Sequence, residues 1–214
     1  MNVRVKICGL TRLEDALAAA ECGADFLGFI LYNQSPRFIE PEAGARITAA
    51  VKQRYPAVRS VGVFVNEEVD KIGLLLDSRN YGYAQLSGDE ETEDLGALAG
   101  RAYKAVRPAS PAEADTLAAR FSRRDVRPAL LLDAHVPGLY GGTGTPADLQ
   151  TAARLAKDYD LMLAGGLNPD NVAAAVRLVR PWAVDVSSGV EHSPGIKDHD
   201  RMRSFIRRAK NAEV

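Results

Sequence analysis

The chain has 214 residues, 46% of them hydrophobic, a formal net charge of −1 and two cysteines. That length supports one sizeable core, and the near-neutral charge argues against bulk attraction to nucleic acid or to an anionic membrane surface. No apolar run reaches the ~18 residues of a membrane-spanning helix, and the first residues pass into a strand pattern rather than a signal peptide, so a cytoplasmic chain is expected.

A β-branched run at residues 3–7 ends in Cys8 and Gly9. Thr11-Arg-Leu-Glu14 follows with capping-box spacing, which predicts a helix over residues 11–21. Leu13, Ala16, Leu17 and Ala20 fall on one face of that helix, and Gly23 stops it. Eleven helical residues at about 1.5 Å each hold Cys8 and Cys22 further apart than the ~7 Å a disulfide spans. Both are therefore expected as free thiols in a reducing compartment, Cys22 as a small buried residue. Further strand runs follow at 26–31, 60–65, 83–86, 102–106, 129–132, 161–164 and 183–186. Helical spacing between them is clear at Val69, Ile72, Leu75 and Leu76, and again at Val172, Ala175, Val176 and Val179. It is weakest around 112–121. Nearly continuous apolar strands alternating with helices mean a parallel sheet covered on both faces. Eight such units predict a single (β/α)₈ barrel, one domain over residues 1–214. An open doubly wound sheet is the alternative, but no GxGxxG follows the first strand and no break divides the chain.

Barrel chemistry collects where strands end at their carboxyl side. There the sequence places Cys8, then Tyr32-Asn-Gln-Ser-Pro-Arg37, Ser87-Gly-Asp-Glu90, Asp133, Gly165-Gly166 and Ser187-Ser-Gly189. Arg37 follows Ser35-Pro36, so an extended backbone is expected there. Three glycine-bearing loops, at 141–144, 164–171 and 187–191, suit a phosphate, because glycines let backbone N–H groups close on anionic oxygens. Asn168-Pro169 reads as an N-cap followed by the first helical residue. His135, His192 and His199 show no triad or metal spacing and are read as surface or loop residues. The arginines of the last helix are read as a solvated face.

KICGLTRLEDA, SPRFI, VGVFVN, LLLDA with GGTG, LAGGLNPDNV, VDVSSGVE and SPGIKD together resemble the phosphoribosylanthranilate isomerases of tryptophan biosynthesis, over nearly the whole chain. The resemblance implies a barrel without metal or organic cofactor that acts on a small phosphosugar, and it leaves oligomeric state open. It implies Cys8 as general base and Asp133 as general acid, with Arg37, Gln85 and Asp185 toward the substrate. Gly142, Gly165, Gly166, Ser187, Ser188 and Gly189 would hold its phosphate. Two departures stand out. Ser87 occupies a position where members commonly carry histidine, and Thr145-Pro-Ala-Asp148 replaces an aromatic and acidic stretch.

The implied reaction is an Amadori rearrangement, and it needs one acid and one base on opposite sides of a pocket. A thiol near ~8.5 needs help to ionise, which the start of the first helix or Lys6 could give, and an aspartate near ~3.9 needs help to stay protonated. Two other readings remain open at this level. One is a histidine-biosynthesis-type isomerase, for which a carboxylate rather than a cysteine is expected on the first strand. The other is a non-catalytic phosphate-binding barrel, which would need neither Cys8 nor Asp133.

Overall fold

Eight parallel strands close on themselves in chain order. They are β1 (Arg4–Ile7), β2 (Phe26–Ile30), β3 (Arg59–Phe64), β4 (Tyr83–Leu86), β5 (Ala102–Val106), β6 (Leu130–Leu132), β7 (Leu161–Leu163) and β8 (Ala183–Val186). The computed structural model describes residues 3–78, 81–98, 100–122, 126–133 and 148–212. The helices between the strands are α1 (Leu13–Glu21), α2 (Pro41–Arg54), α3 (Val69–Ser78), α4 (Thr92–Ala97), α5 (Pro111–Phe121), α6 (Leu149–Leu155) and α7 (Val172–Val179). A short 3₁₀ turn (Ser188–Val190), the antiparallel hairpin β9 (Glu191–Ser193) and β10 (Ile196–Lys197), and α8 (His199–Lys210) complete the described chain. All eight expected strands are present, and the closed barrel rather than the open sheet is the fold. No helix among the described residues is long and apolar enough to cross a membrane.

Strand alternation divides the sheet into two faces. Outward residues such as Val5, Ile7, Leu27, Phe29, Leu130 and Leu132 pack under the helices in one large cluster. Inward residues include Phe26, Val61, Tyr103, Ala105, Leu131 and Met162, which form a smaller cluster inside the barrel. At its amino-terminal end Phe26 meets Tyr83 edge-on at 6.3 Å and Trp182 at 5.8 Å, closing that end with aromatic rings. Chemistry is thereby confined to the opposite mouth.

The seam between first and last strands is built like the others. Arg4 pairs with Ala183 and Ile7 with Val186, and the Cys8 N–H continues the ladder to the Val186 carbonyl at 2.8 Å. Asp15 of α1, almost fully buried, reinforces it from outside by accepting from Lys197 N at 3.1 Å and pairing with His199 Nε2 at 2.7 Å. His199 is thus partly a structural partner and not only a surface residue.

Four local expectations are corrected. The Thr11–Glu14 capping box does not form: α1 starts at Leu13, and its N-cap, Arg12, makes no side-chain cap bond. Thr11 Oγ1 instead donates to the Gly195 carbonyl at 2.6 Å, and Glu14 pairs with Arg12. The hydroxyl is turned to the far hairpin instead of accepting from the first turn of its own helix. Asn168 does cap, but it caps a single turn ahead of α7. Its Oδ1 accepts from Asp170 N and Asn171 N, while Asn171 Oδ1 accepts from Asn168 N at 2.8 Å. Residues 35–38 turn, with Phe38 N bonded to Ser35 O, so Arg37 is not extended. Cys22 is a free thiol but only half-buried at the end of α1.

Candidate active site

A cavity of about 290 Å³ opens at the carboxyl ends of the strands, near the low end of the ~300–1,000 Å³ range for small-ligand sites. Cys8, Arg37, Gln85, Asp133, Asp185 and Ser187 all line it. A smaller recess of about 50 Å³ adjoins it and shares Asp133, Asp185 and Ser187. Its remaining wall includes Gly165, Gly166, Ser188 and Gly189. Ten of the eleven expected site residues therefore meet at one mouth. The eleventh, Gly142, lies outside the described residues, as does most of the departing 145–148 stretch. Asp148 is described, and its carboxylate caps α6 by accepting from Gln150 N and Thr151 N.

The recess is shaped by backbone. Gly165 and Gly166 both adopt positive φ, +88° and +62°, which folds the loop after β7 back on itself. A side chain on Gly189 would collide with the Leu167 carbonyl oxygen, so the loops after β7 and β8 can touch only because residue 189 has none. Ser187 Oγ and Asp185 Oδ1 are buried and make no hydrogen bond among the described residues, and both residues line the cavities. A buried oxygen of this kind costs about 1–3 kcal/mol unless a ligand or water satisfies it.

Beneath Cys8 the barrel interior is polar. Lys6, fully buried, donates to Gln85 Oε1 at 2.6 Å and to Asp185 Oδ2 at 3.0 Å. Tyr103 OH donates to the same Gln85 oxygen at 3.1 Å, and Gln85 Nε2 donates to Ser87 Oγ at 3.1 Å. Burial works against the Lys6 charge, but Asp185, Cys8 and Tyr103 favour it, and the ammonium is held well above the ordinary lysine range. Burial pushes the Cys8 thiol up; Lys6 and Lys197 pull it down and Asp185 opposes them, leaving it above its ordinary value.

Arg37 is 9% exposed, not solvated, and is clamped to Glu191 through Nε at 2.9 and 3.0 Å and Nη2 at 2.8 Å. Lys197 Nζ reaches the same carboxylate at 2.7 Å. Burial alone would raise the Glu191 carboxyl, yet the two cations hold it below the usual range. Glu191 and Lys197 stand in the VDVSSGVE and SPGIKD segments, but nothing in their spacing marks them as partners of Arg37. Arg107, one step past β5, lines the cavity and donates to the Ser87 carbonyl. It follows the inward alternation of Tyr103 and Ala105, a signal that was available in the sequence.

Residues 5–208 match the family model for N-(5'-phosphoribosyl)anthranilate isomerase. The chain belongs to that family. A phosphoribosylanthranilate isomerase from Trichlorobacter lovleyi is 46% identical over 212 residues, covering 98% of this chain and 99% of the relative. The crystal structure of the Thermotoga maritima isomerase superposes with a TM-score of 0.86 at 42% identity, covering 97% of this chain and 98% of that one. Another solved isomerase of the family, at TM-score 0.83 and 40% identity over 97% of this chain and 98% of that chain, holds reduced 1-(o-carboxyphenylamino)-1-deoxyribulose 5-phosphate.

Proposed function

We propose that the chain is a cytoplasmic isomerase converting N-(5-phosphoribosyl)anthranilate to 1-(2-carboxyphenylamino)-1-deoxyribulose 5-phosphate in tryptophan biosynthesis, with Asp133 as acid and Cys8 as base. The observation that carries this reading is the position of those two groups. They come from β1 and β6, well apart around the ring, and line one cavity whose far end is a glycine recess. The phosphate goes to the recess of Gly165, Gly166, Ser187, Ser188 and Gly189, and the anthranilate ring goes toward Arg37. The clamp supports the latter: two cations, Arg37 and Lys197, face one carboxylate, Glu191, leaving one positive charge for an aromatic acid. Asp185 Oδ1 and Ser187 Oγ, unpartnered among the described residues, meet the sugar between the two ends.

The chemistry then runs in three moves. Asp133 gives its proton to the furanose ring oxygen, and the C1–O bond breaks as the nitrogen lone pair forms the iminium. Cys8 takes the proton from C2; that C–H pair becomes the C1=C2 bond and the iminium electrons return to nitrogen. The enolamine so formed loses a proton from its C2 oxygen and gains one at C1, so the product is an isomer with no atom gained or lost. A coupled assay that supplies the substrate and follows its disappearance tests the reading. Parent enzyme should turn over, and Cys8→Ser and Asp133→Asn should remain folded with kcat lower by ~10² or more. Parent-like turnover in either variant would reassign that role. No turnover in the parent would reject the function.

A further inference from the structure

Cys8 must lose a proton before it can act as a base, yet it sits on the wall of a desolvated cavity, where burial opposes a thiolate. Lys6 stands two residues earlier on the same inward face of β1. A methyl group placed on Gly28 would lie 2.8 Å from Cys8 Sγ and 3.0 Å from Lys6 Cε, so both side chains crowd the same small space above β2. The ammonium is not loose in that space. Asp185 on β8 and Gln85 on β4 hold it from two sides, and Tyr103 on β5 holds Gln85.

Resting on the assignment of Cys8 as the base, we propose that Lys6 is a positioning residue for the reaction. It is a fixed cation, anchored by Asp185 and Gln85, whose charge makes the Cys8 thiolate accessible inside a closed barrel. Lys6 touches no substrate in this scheme and transfers no proton. Its charge replaces the solvent that the barrel interior excludes. The groups facing Cys8 fix the direction of each effect: Lys6 from β1 and Lys197 from β10 favour the thiolate, and Asp185 from β8 opposes it. Asp185 therefore has two effects, holding Lys6 in place while damping its field. A lysine kept only to fill the barrel would do neither, since an apolar chain of the same length fills it as well.

The experiment measures alkylation of Cys8 by iodoacetamide against pH, read by mass spectrometry of the Cys8 peptide, in a Cys22→Ala background. The thiolate is the reacting form, so the midpoint reports its ionisation directly. Lys6→Met should move the midpoint up by about one to three pH units, the range for loss of one close opposite charge. Its kcat/KM should fall at least tenfold near neutrality and recover as pH rises. An unmoved midpoint overturns the proposal, and so does a moved midpoint with a kcat/KM profile like the parent's. If Lys6→Met does not fold, because Asp185 is left without its cation, the Lys6→Met/Asp185→Asn double variant, which leaves no unpaired charge, decides. Lys6 outweighs Asp185 at Cys8, so the double variant's midpoint should still lie above the parent's, and a midpoint at or below the parent's overturns the proposal. Alkylation needs no turnover. A Cys8→Ala variant that remains active would therefore sink the assignment of the base while leaving the charge coupling measured on its own terms.

Discussion

Gly28 shows how much of the site depends on one missing side chain. Its neighbours are Cys8 Sγ, Lys6 Cε and the Cys8 backbone, all within 3.1 Å of where a Cβ would sit. Gly28→Ala should therefore cost about 1–3 kcal/mol by overpacking. It should also push the thiol out of line, and a displacement of about 1 Å at a reacting group can cost ~10² in rate. Thermal unfolding and kcat/KM measured together would show both losses, whereas a parent-like rate would mean that the thiol tolerates displacement. The pH profile belongs to this scale too. Cys8 stands above its ordinary value, so the fraction able to accept a proton grows as pH rises. The limb of kcat/KM assigned to the base should accordingly climb through the alkaline range rather than level off near neutrality, and a plateau below pH ~7 would contradict an upward shift of the thiol.

The hairpin β9–β10 is the element on which the mouth depends. It carries Glu191 and Lys197, accepts Thr11 through Gly195, and is tied to α1 through Asp15. Under the proposed placement of the aromatic carboxylate at Arg37, Arg37→Ala should mainly raise KM, because that pairing is the same in ground and transition states. Glu191→Gln should raise KM also, and should loosen the hairpin, seen as faster amide exchange at Gly195 and Lys197. An arginine that needs no clamp would leave both unchanged. Acid should act in the same direction. The Glu191 carboxyl is lower in the folded chain than in the unfolded one, so its contribution is complete above the ordinary carboxylate range and is lost only as pH falls through the lower, folded value. Thr11 shows why this element was hard to see in the sequence. Its spacing to Glu14 satisfies a local rule, yet its hydroxyl donates to a carbonyl 184 positions away.

At the scale of the molecule, the eight strands were legible because a sheet covered on both faces imposes long apolar runs that little else in a chain imitates. Cys8, Arg37 and Asp133 were legible because strand ends can be counted. The polar floor under the site was legible only in part: Lys6, Gln85 and Asp185 could be named, but not Tyr103 or the hydrogen bonds that join the four. Lys6, Gln85, Tyr103 and Asp185 sit on four strands, and only closure brings them together. Replacing one partner of the Lys6–Asp185 pair leaves a buried charge, a loss of about 3–5 kcal/mol.

The seam that joins β1 to β8 has a further consequence, for the timing of synthesis. Lys6 must wait for Asp185, 179 positions downstream, and at about 5–20 residues per second a ribosome needs roughly 10–40 s to make that stretch. Throughout that interval β1 has an unpaired edge, open to misassociation with other nascent chains. Chains arrested before residue 183 should be cut by protease near β1 and be inactive, and chains released beyond α8 should be protected and active. Protection in the shorter chains would mean that β1 finds a temporary partner. In the absence of one, a newly made molecule gains the polar floor of its site only when β8 arrives, so turnover certifies that the message was read at least through that strand.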